Sequence, residues 1–484
     1  MKFKLLLLPA LISLLTACGD DDKDTTVTEK PPVKPPVTEG NGDLLTPGAK
    51  GDVSTLGGAA RLKEERTEAL KKSLSNRQVK NVILFIGDGT SESEITAARN
   101  YAEGASGYFK GLDVFPFTGA YTTYSLVEGT KKIDYVPDSA ATATAWATGI
   151  KTYNNALGID TFGKPQESIL KLAKKAGFAT GNVTTTELQD ASPAALFSSI
   201  KYRSCYSPSR MQACPDDNFP KGKGSISEQL LATRADVTLG GGAVFFDEVA
   251  TGGGYAGKTL LAQAKELKYQ LPTDLASLNA IKAADQNQPV LGLFAPRNLP
   301  VNWVGPDSVI NGNNKPAESC SANPERTASI PSLKDMTAKA IELLQVNKKG
   351  FFLQVESGSI DKENHAGNAC GQIGETVAFD DAIQVALAFA KKNPDTLIIV
   401  TGDHAHTSQI IPNNSKSPGR TVSLKTKDDA VMTINYATGT SESYQQHTGA
   451  QVRTAAYGPR AANVSGLLDQ TDIFFIMRDA MGIK

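Results

Sequence analysis

Three short apolar runs, each stopped by groups that bind cations, restrict what this chain can fold into. Residues 81–86, 350–355 and 396–400 are rich in β-branched and aromatic side chains, and each has the length of a strand buried on both faces. Gly87-Asp88-Gly89 follows the first run, Glu356 the second and Asp403-His404 the third. Between the last two runs, residues 373–391 carry Val377, Ile383, Val385, Ala386 and Leu387 in a long amphipathic helical stretch. Strands alternating with helices predict an α/β fold: a large, mainly parallel central sheet with helices on both faces. In such sheets ligands bind beyond the carboxyl ends of the strands, so these acidic and imidazole groups are expected to converge on one site.

The histidines narrow the chemistry. The chain has four, His365, His404, His406 and His447, all in its last third. Asp361 and His365 stand four positions apart and share a face if that segment is helical. Asp403, His404 and His406 fall within four positions. Any one such histidine is usually a satisfied polar residue. Four of them beside carboxylates form a donor set suited to zinc, and large enough for two ions. A nucleophile is available at Ser139, which follows Asp138 and opens an alanine-rich stretch reaching Trp146. At a helix start it would lie near free backbone N–H groups and the positive helix end, which favour an anionic substrate. Asp138-Ser139 is equally an ordinary helix N-cap, and spacing alone does not separate the two readings.

Bulk properties set the outer bounds. The chain has 484 residues, 40% of them hydrophobic, and a formal net charge of −1. That is ample for one large domain or two ordinary ones, and the balance gives no electrostatic footprint for a nucleic-acid partner. Lys2 and Lys4 precede an apolar run over residues 5–15, too short to span a bilayer and suited to a secretion signal. The run ends in Leu15-Thr16-Ala17-Cys18, a lipobox pattern. Residues 1–17 are therefore expected to be a lipoprotein signal peptide, with Cys18 lipidated. Residues 18–58 form a flexible acidic and Pro-rich tether, and a folded domain occupies 59–484. This places the protein on the periplasmic side of a bacterial envelope. Gly19 stands where aspartate would signal inner-membrane retention, so outer-membrane anchoring is preferred; a soluble periplasmic or secreted protein is the alternative. A surface helix is expected over residues 59–74, with Leu62, Leu70 and Leu74 at helical spacing. Cys205, Cys214, Cys320 and Cys370 remain, and three disulfide pairings are open; the most compact joins Cys205 to Cys214 and Cys320 to Cys370.

The strings NVILFIGDG, DYVPDSAATATAW, GNVTTTELQDASPAAL, GFFLQVESGSIDKENHAGNACGQIGETV, VTGDHAHTSQI and QQHTGAQ occur in this order. Together they resemble the bacterial alkaline phosphatase family over residues 59 to 484, which would make that segment the catalytic domain. The resemblance implies a metal-dependent hydrolase of phosphate monoesters, a homodimer, with two zinc ions and one magnesium ion per subunit. It makes Ser139 the nucleophile and Arg203 the clamp on two phosphate oxygens, with Asp138 orienting Arg203 and Lys362 reaching phosphate through water. Asp361, His365 and His447 would hold the first zinc, and Asp403 and His404 the second. Asp88 would bridge the second zinc and the magnesium, which Ser192 and Glu356 also ligate and Asp190 reaches through water. His406 would stand behind the zinc ligands, and the compact pairing of cysteines matches the family's disulfides.

Three residues depart from the familiar pattern. Ser192 replaces threonine at the magnesium position and loses a packing methyl, while Thr90 and Gly402 replace methionine and alanine and are expected to loosen the site locally. Two rival readings fit less well. A sulfatase or phosphodiesterase of the same superfamily would lack the context of Ser139 or the pairing of magnesium carboxylate with Arg203. A non-catalytic metal-binding lipoprotein would need neither Ser139 nor Arg203.

Overall fold

The computed structural model describes residues 65–439 and 444–484, with Leu45, Leu56, Gly58 and Ala59 before them. The signal peptide and Cys18 lie outside the described residues, as does most of the tether. Leu45, expected within the tether, is instead buried with the core. Of the helix expected over 59–74, only Thr67–Ser73 (α1) forms among the described residues. It buries no side chain and its N-cap, Arg66, makes no side-chain capping bond, which leaves little to extend it.

All three strands foreseen in the sequence form. They are Asn81–Gly87 (β1), Phe351–Ser357 (β6) and Thr396–Gly402 (β7), and all lie side by side in the middle of one nine-stranded sheet. The others are Phe117–Thr122 (β2), Ala179–Glu187 (β3), Val237–Gly241 (β4), Val290–Leu293 (β5), Val452–Tyr457 (β8) and Gly466–Asp469 (β9). Their order is β9-β2-β8-β7-β1-β6-β3-β4-β5, and only β8 runs against the rest. In register, Gly87 of β1 pairs with Ser357 of β6 and Gly402 of β7, so the three strands end level with one another. That alignment brings Asp88, Glu356 and Asp403 to one edge.

Strand alternation explains why these strands are apolar throughout. In β1, Val82, Leu84 and Ile86 enter the core on one face, while Ile83 and Phe85 enter the core on the other. In β7, Leu397 and Ile399 divide from Ile398 and Val400 in the same way. With both faces covered by helices, neither can be polar. The first face is covered by Ser139–Thr148 (α3), Ile169–Lys175 (α4), the short Ala191–Ala194 (α5), Ile226–Thr233 (α6) and Asp472–Ala480 (α10). The second is covered by Glu92–Glu103 (α2), Leu333–Leu344 (α7) and Ala369–Lys392 (α9). The last of these is the helix expected over 373–391, begun four residues earlier by the Asn368 side chain, which accepts from Gly371 N. The Cys205–Cys214 and Cys320–Cys370 disulfides both form.

Thr90 and Gly402 pack against each other where β1 and β7 end. A side chain on Gly402 would put its Cβ 1.9 Å from the carbonyl oxygen of Thr90, and Thr90 itself is 2% exposed. The two are matched for close packing of the β1 and β7 ends.

Candidate active site and metal centre

The site is built by chain turns at the ends of β1, β6 and β7. After β1 the backbone turns sharply at Gly89, at φ +64°, where a Cβ would lie 2.8 Å from Asp361 Cα. Glycine is required there on both counts. The turn leaves Asp88 buried beside Asp403, whose Oδ1 accepts from Gly89 N at 2.7 Å and from His404 N at 2.7 Å. Beyond β6, Ser359–Ala366 (α8) carries Asp361 and His365 on one face, with Oδ2 and Nε2 3.3 Å apart.

Asp361 is the hub. Its Oδ1 lies 3.3 Å from Nε2 of both His406 and His447, and 3.9 Å from His404 Nε2. Asp361, His365, His406 and His447 form one donor group, and Asp88, Asp361 and His404 a second. The family resemblance implies Asp361 in the first set alone, and His406 behind it. In the structure Asp361 joins both sets, and His406 stands as near the hub as His447 does. Asp403 sits directly beside the second group, its Oδ2 3.2 Å from His404 Nε2.

The histidine tautomers follow from their outer contacts. His365 Nδ1 faces the Gln445 carbonyl, His447 Nδ1 is 3.0 Å from the Pro137 carbonyl, and His404 Nδ1 is 3.4 Å from the Ala405 carbonyl. A carbonyl only accepts, so each Nδ1–H donates and each Nε2 turns a lone pair inward. His365 and His447 thereby bring two Nε2 atoms within 3.0 Å of each other. Facing lone pairs repel, and Asp361 Oδ1 and His406 Nε2 complete no hydrogen bond inside the protein. A cation among them satisfies every one of these groups, so the residues fit divalent metal ions.

The charges agree. Burial first, then the nearby carboxylates of Asp403, Asp361 and Glu356, holds Asp88 well above the usual carboxylate range. Burial and the Asp361 charge push Asp403 up to about 6. Burial holds His404 well below the usual imidazole range and pushes His406 down to about 4.

Ser139 lies in the middle of this cluster. It is the first residue of α3, 1% exposed, with Asp138 as the N-cap accepting from Ala141 N at 3.0 Å. Its Oγ is 3.2 Å from His404 Nε2 and 3.4 Å from Asp88 Oδ1. Asp138 thus caps the helix while Ser139 Oγ faces the carboxylate and imidazole of the second group. Asp138 Oδ2 also meets Arg203 Nη1 at 3.3 Å. Asp190 takes Arg203 Nη2 on one oxygen at 2.7 Å and Lys362 Nζ on the other at 2.5 Å. The family resemblance implies only a water-mediated metal contact for Asp190; here its carboxylate is committed to two cations, which hold it far below its usual pKa even though it is buried.

Glu356 stands at the end of β6, where Thr184 Oγ1 donates to it and Thr186 Oγ1 lies 3.4 Å away. Burial pushes its carboxyl up to about 7. Ser192 Oγ, close by on α5, is buried without a hydrogen-bond partner, an orphan that an additional cation would satisfy.

Residues 79–446 match the alkaline phosphatase family profile. The chain belongs to the alkaline phosphatase family. It is 58% identical to the alkaline phosphatase of Escherichia coli over 439 residues, which covers 90% of this chain and 93% of that one. It is 56% identical to alkaline phosphatase H of Pseudomonas aeruginosa, over 90% and 92% of the two chains. The solved alkaline phosphatase of the Antarctic bacterium TAB5 superposes with a TM-score of 0.62 at 25% identity, over 84% of this chain and all of that one. The chain is therefore a phosphomonoesterase with a metal-binding centre.

Several contributors to the centre of this alkaline phosphatase had escaped the sequence reading. Thr142, one turn along α3, brings Oγ1 to 3.4 Å from Asp403 Oδ2. The Tyr444 ring stacks on His365 at 4.2 Å and 16°, with its hydroxyl 3.2 Å from Nε2. Thr142 was foreshadowed only by its place one turn after Ser139, and Tyr444 by its place three residues before His447.

Proposed function

We propose that this enzyme hydrolyses phosphate monoesters to alcohol and inorganic phosphate through a phosphoserine at Ser139, with two zinc ions and one magnesium ion per subunit. The observation that carries the reading is the position of Ser139 Oγ. It touches His404 and Asp88 at a helix N-terminus, with Arg203 held toward the same space by Asp138 and Asp190.

Asp361, His365 and His447 would hold one zinc, Asp403, His404 and Asp88 the other, and Asp88, Glu356 and Ser192 the magnesium. Bound there, the ions supply Lewis-acid charge that lowers the pKa of the serine hydroxyl and of water and neutralises the leaving oxygen. The protein supplies the rest. Arg203 offers a planar fork to two phosphate oxygens, which orients the ester in line with Ser139 Oγ. Oγ gives up its proton as it attacks phosphorus, the bond to the alcohol oxygen breaks, and the departing alkoxide takes up a proton. Water then gives up a proton and attacks phosphorus in line from the side the alcohol left, opposite Oγ; the Oγ–P bond breaks, Oγ regains a proton and phosphate is released. Lys362, paired with Asp190, adds positive charge at the edge of the phosphate space and fixes the carboxylate that holds Arg203.

A diester would have to place a second alcohol group where Arg203 clamps phosphate oxygens, so monoesters are the better fit. Export, a lipid anchor on Cys18 and a homodimer complete the proposal and rest on the leader sequence and the family resemblance. Among the described residues no helix is long and apolar enough to cross a membrane.

The test compares p-nitrophenyl phosphate with its bis-ester, with and without a chelator, beside Ser139→Ala. Strong monoester preference lost in both the chelated enzyme and the variant is expected. A preference for the diester would move the protein to another activity of the superfamily.

A further inference from the structure

Away from the catalytic centre, a cavity of about 660 Å³ opens between α4, α6 and the loop that precedes α6. Its floor is apolar: Phe197, 2% exposed, Ala232 and the ring of Phe219. Its rim is cationic, with Lys171 and Lys175 from α4 and Lys223 from the loop. We propose that this cavity is a binding site for a small organic anion, a carboxylate, sulfonate or phosphate head on a ring-sized apolar body.

The cavity has the volume of a small-molecule site and joins a hydrophobic wall to a few convergent polar groups. The accounting of charge is what singles it out. Lys174, also on the lining, donates its ammonium to the carbonyls of Thr233 and Arg234, and Lys175 pairs with Glu167. Lys171 and Lys223 have no ion-pair partner among the described residues. The two repel each other: burial and then the Lys223 charge push Lys171 down to about 8, against the opposing charge of Glu167. Four lysines therefore face one glutamate, Glu167, which is in direct contact with Lys175 alone, so the lining keeps an excess of positive charge beside its apolar floor. An anion at the rim removes the repulsion, and an apolar body on it covers Phe197 and Phe219.

The wall is fixed rather than loose. Gln229 of α6 accepts from Ser199 N at 2.9 Å and donates to the Gly224 carbonyl at 3.0 Å, which ties the loop to the helix. Asp217 Oδ2 accepts from Lys201 N at 3.1 Å, and Gly224 N donates back to the Asp217 carbonyl at 2.9 Å. A preorganised cavity loses little freedom on binding. None of its lining residues belongs to the phosphatase centre, so a ligand here need not be a substrate.

The probe is 8-anilinonaphthalene-1-sulfonate, an aryl sulfonate that a phosphatase does not hydrolyse, titrated by fluorescence into the full enzyme. One saturable site is expected. Lys171→Glu and Lys223→Glu should each weaken it by about tenfold or more, the loss of one charge-assisted contact, and the double variant should abolish it. Saturating probe should leave KM for p-nitrophenyl phosphate unchanged, and benzoate should displace it where benzyl alcohol does not. Should the double variant melt early, Lys171→Gln with Lys223→Gln replaces it. The proposal is overturned by an absence of saturable binding, by undiminished affinity in the charge variants, or by competitive inhibition of hydrolysis.

Discussion

Replacing Arg203 separates what the site does from what holds it together. The guanidinium has five N–H donors, and Asp138 and Asp190 engage Nη1 and Nη2. Enough donors remain for two phosphate oxygens. Each charge-assisted hydrogen bond is worth roughly 1.5–3 kcal/mol, and water entering the gap of Arg203→Ala recovers part of it. A net loss of about 3–4 kcal/mol in transition-state binding corresponds to roughly a 10²- to 10³-fold drop in kcat/KM. Folding should suffer far less. Asp190 keeps Lys362 and Ala191 N, and Asp138 keeps Ala141 N and Asn155 N, so neither carboxylate is left bare. The stability cost is about 1 kcal/mol, a shift of roughly 1 °C in Tm for a chain of this size. Steady-state kinetics on p-nitrophenyl phosphate beside a thermal melt measures both. Arg203→Lys should recover only part of the loss, because it restores charge without the fork. A kcat/KM for Arg203→Ala within about threefold of the parent, under 1 kcal/mol of effect, would refute the reasoning. So would a loss fully explained by unfolding.

Other outcomes follow from the same coordinates. In metal-free enzyme Asp403 and Glu356 titrate near 6 and 7, above their unfolded values of about 4, so their stabilising protons are lost as pH rises through that window. The Tm difference between metal-loaded and chelated enzyme should therefore widen from pH 5 to pH 8, as scanning calorimetry would show; a constant difference would contradict the carboxylate cluster. The disulfides should differ in worth: closing the 50-residue separation of Cys320–Cys370 contributes about 4 kcal/mol, and the 9-residue separation of Cys205–Cys214 about 2.5 kcal/mol. Denaturant melts of paired Cys→Ala variants should follow that order. Asp138→Ala removes the cap of α3 as well as a partner of Arg203, and a denaturant melt should show stability lower by about 1–2 kcal/mol. Tyr444→Ala should change KM for aryl esters more than for alkyl esters, since its ring covers His365; equal changes would remove Tyr444 from the leaving-group side.

The parts of the site readable in the sequence are those encoded by local pattern. β1, β6 and β7 announce themselves because strands buried on both faces must be apolar throughout, and the ligands follow at once where the strands end level. Asp361 and His365 announce themselves because a helix puts positions four apart on one face. Lys362 and Asp190 show the limit. They lie 172 positions apart, and nothing local to either predicts that they form an ion pair. The same holds for the Pro137 carbonyl, which fixes the His447 tautomer from 310 positions away. The antiparallel β8 and the order of the sheet edges were likewise illegible, since alternation reports burial and not strand direction. The α1 reading failed in length because helical spacing of leucines does not supply the packing that sustains a helix.

The central claim is that phosphorus passes through Ser139. A phosphate monoester made chiral at phosphorus with oxygen isotopes tests it most directly, without requiring the intermediate to accumulate. Transfer to Ser139 Oγ and then to an acceptor alcohol inverts the centre twice, so the account predicts overall retention. Net inversion would mean a single in-line transfer to the acceptor, with Ser139 never phosphorylated.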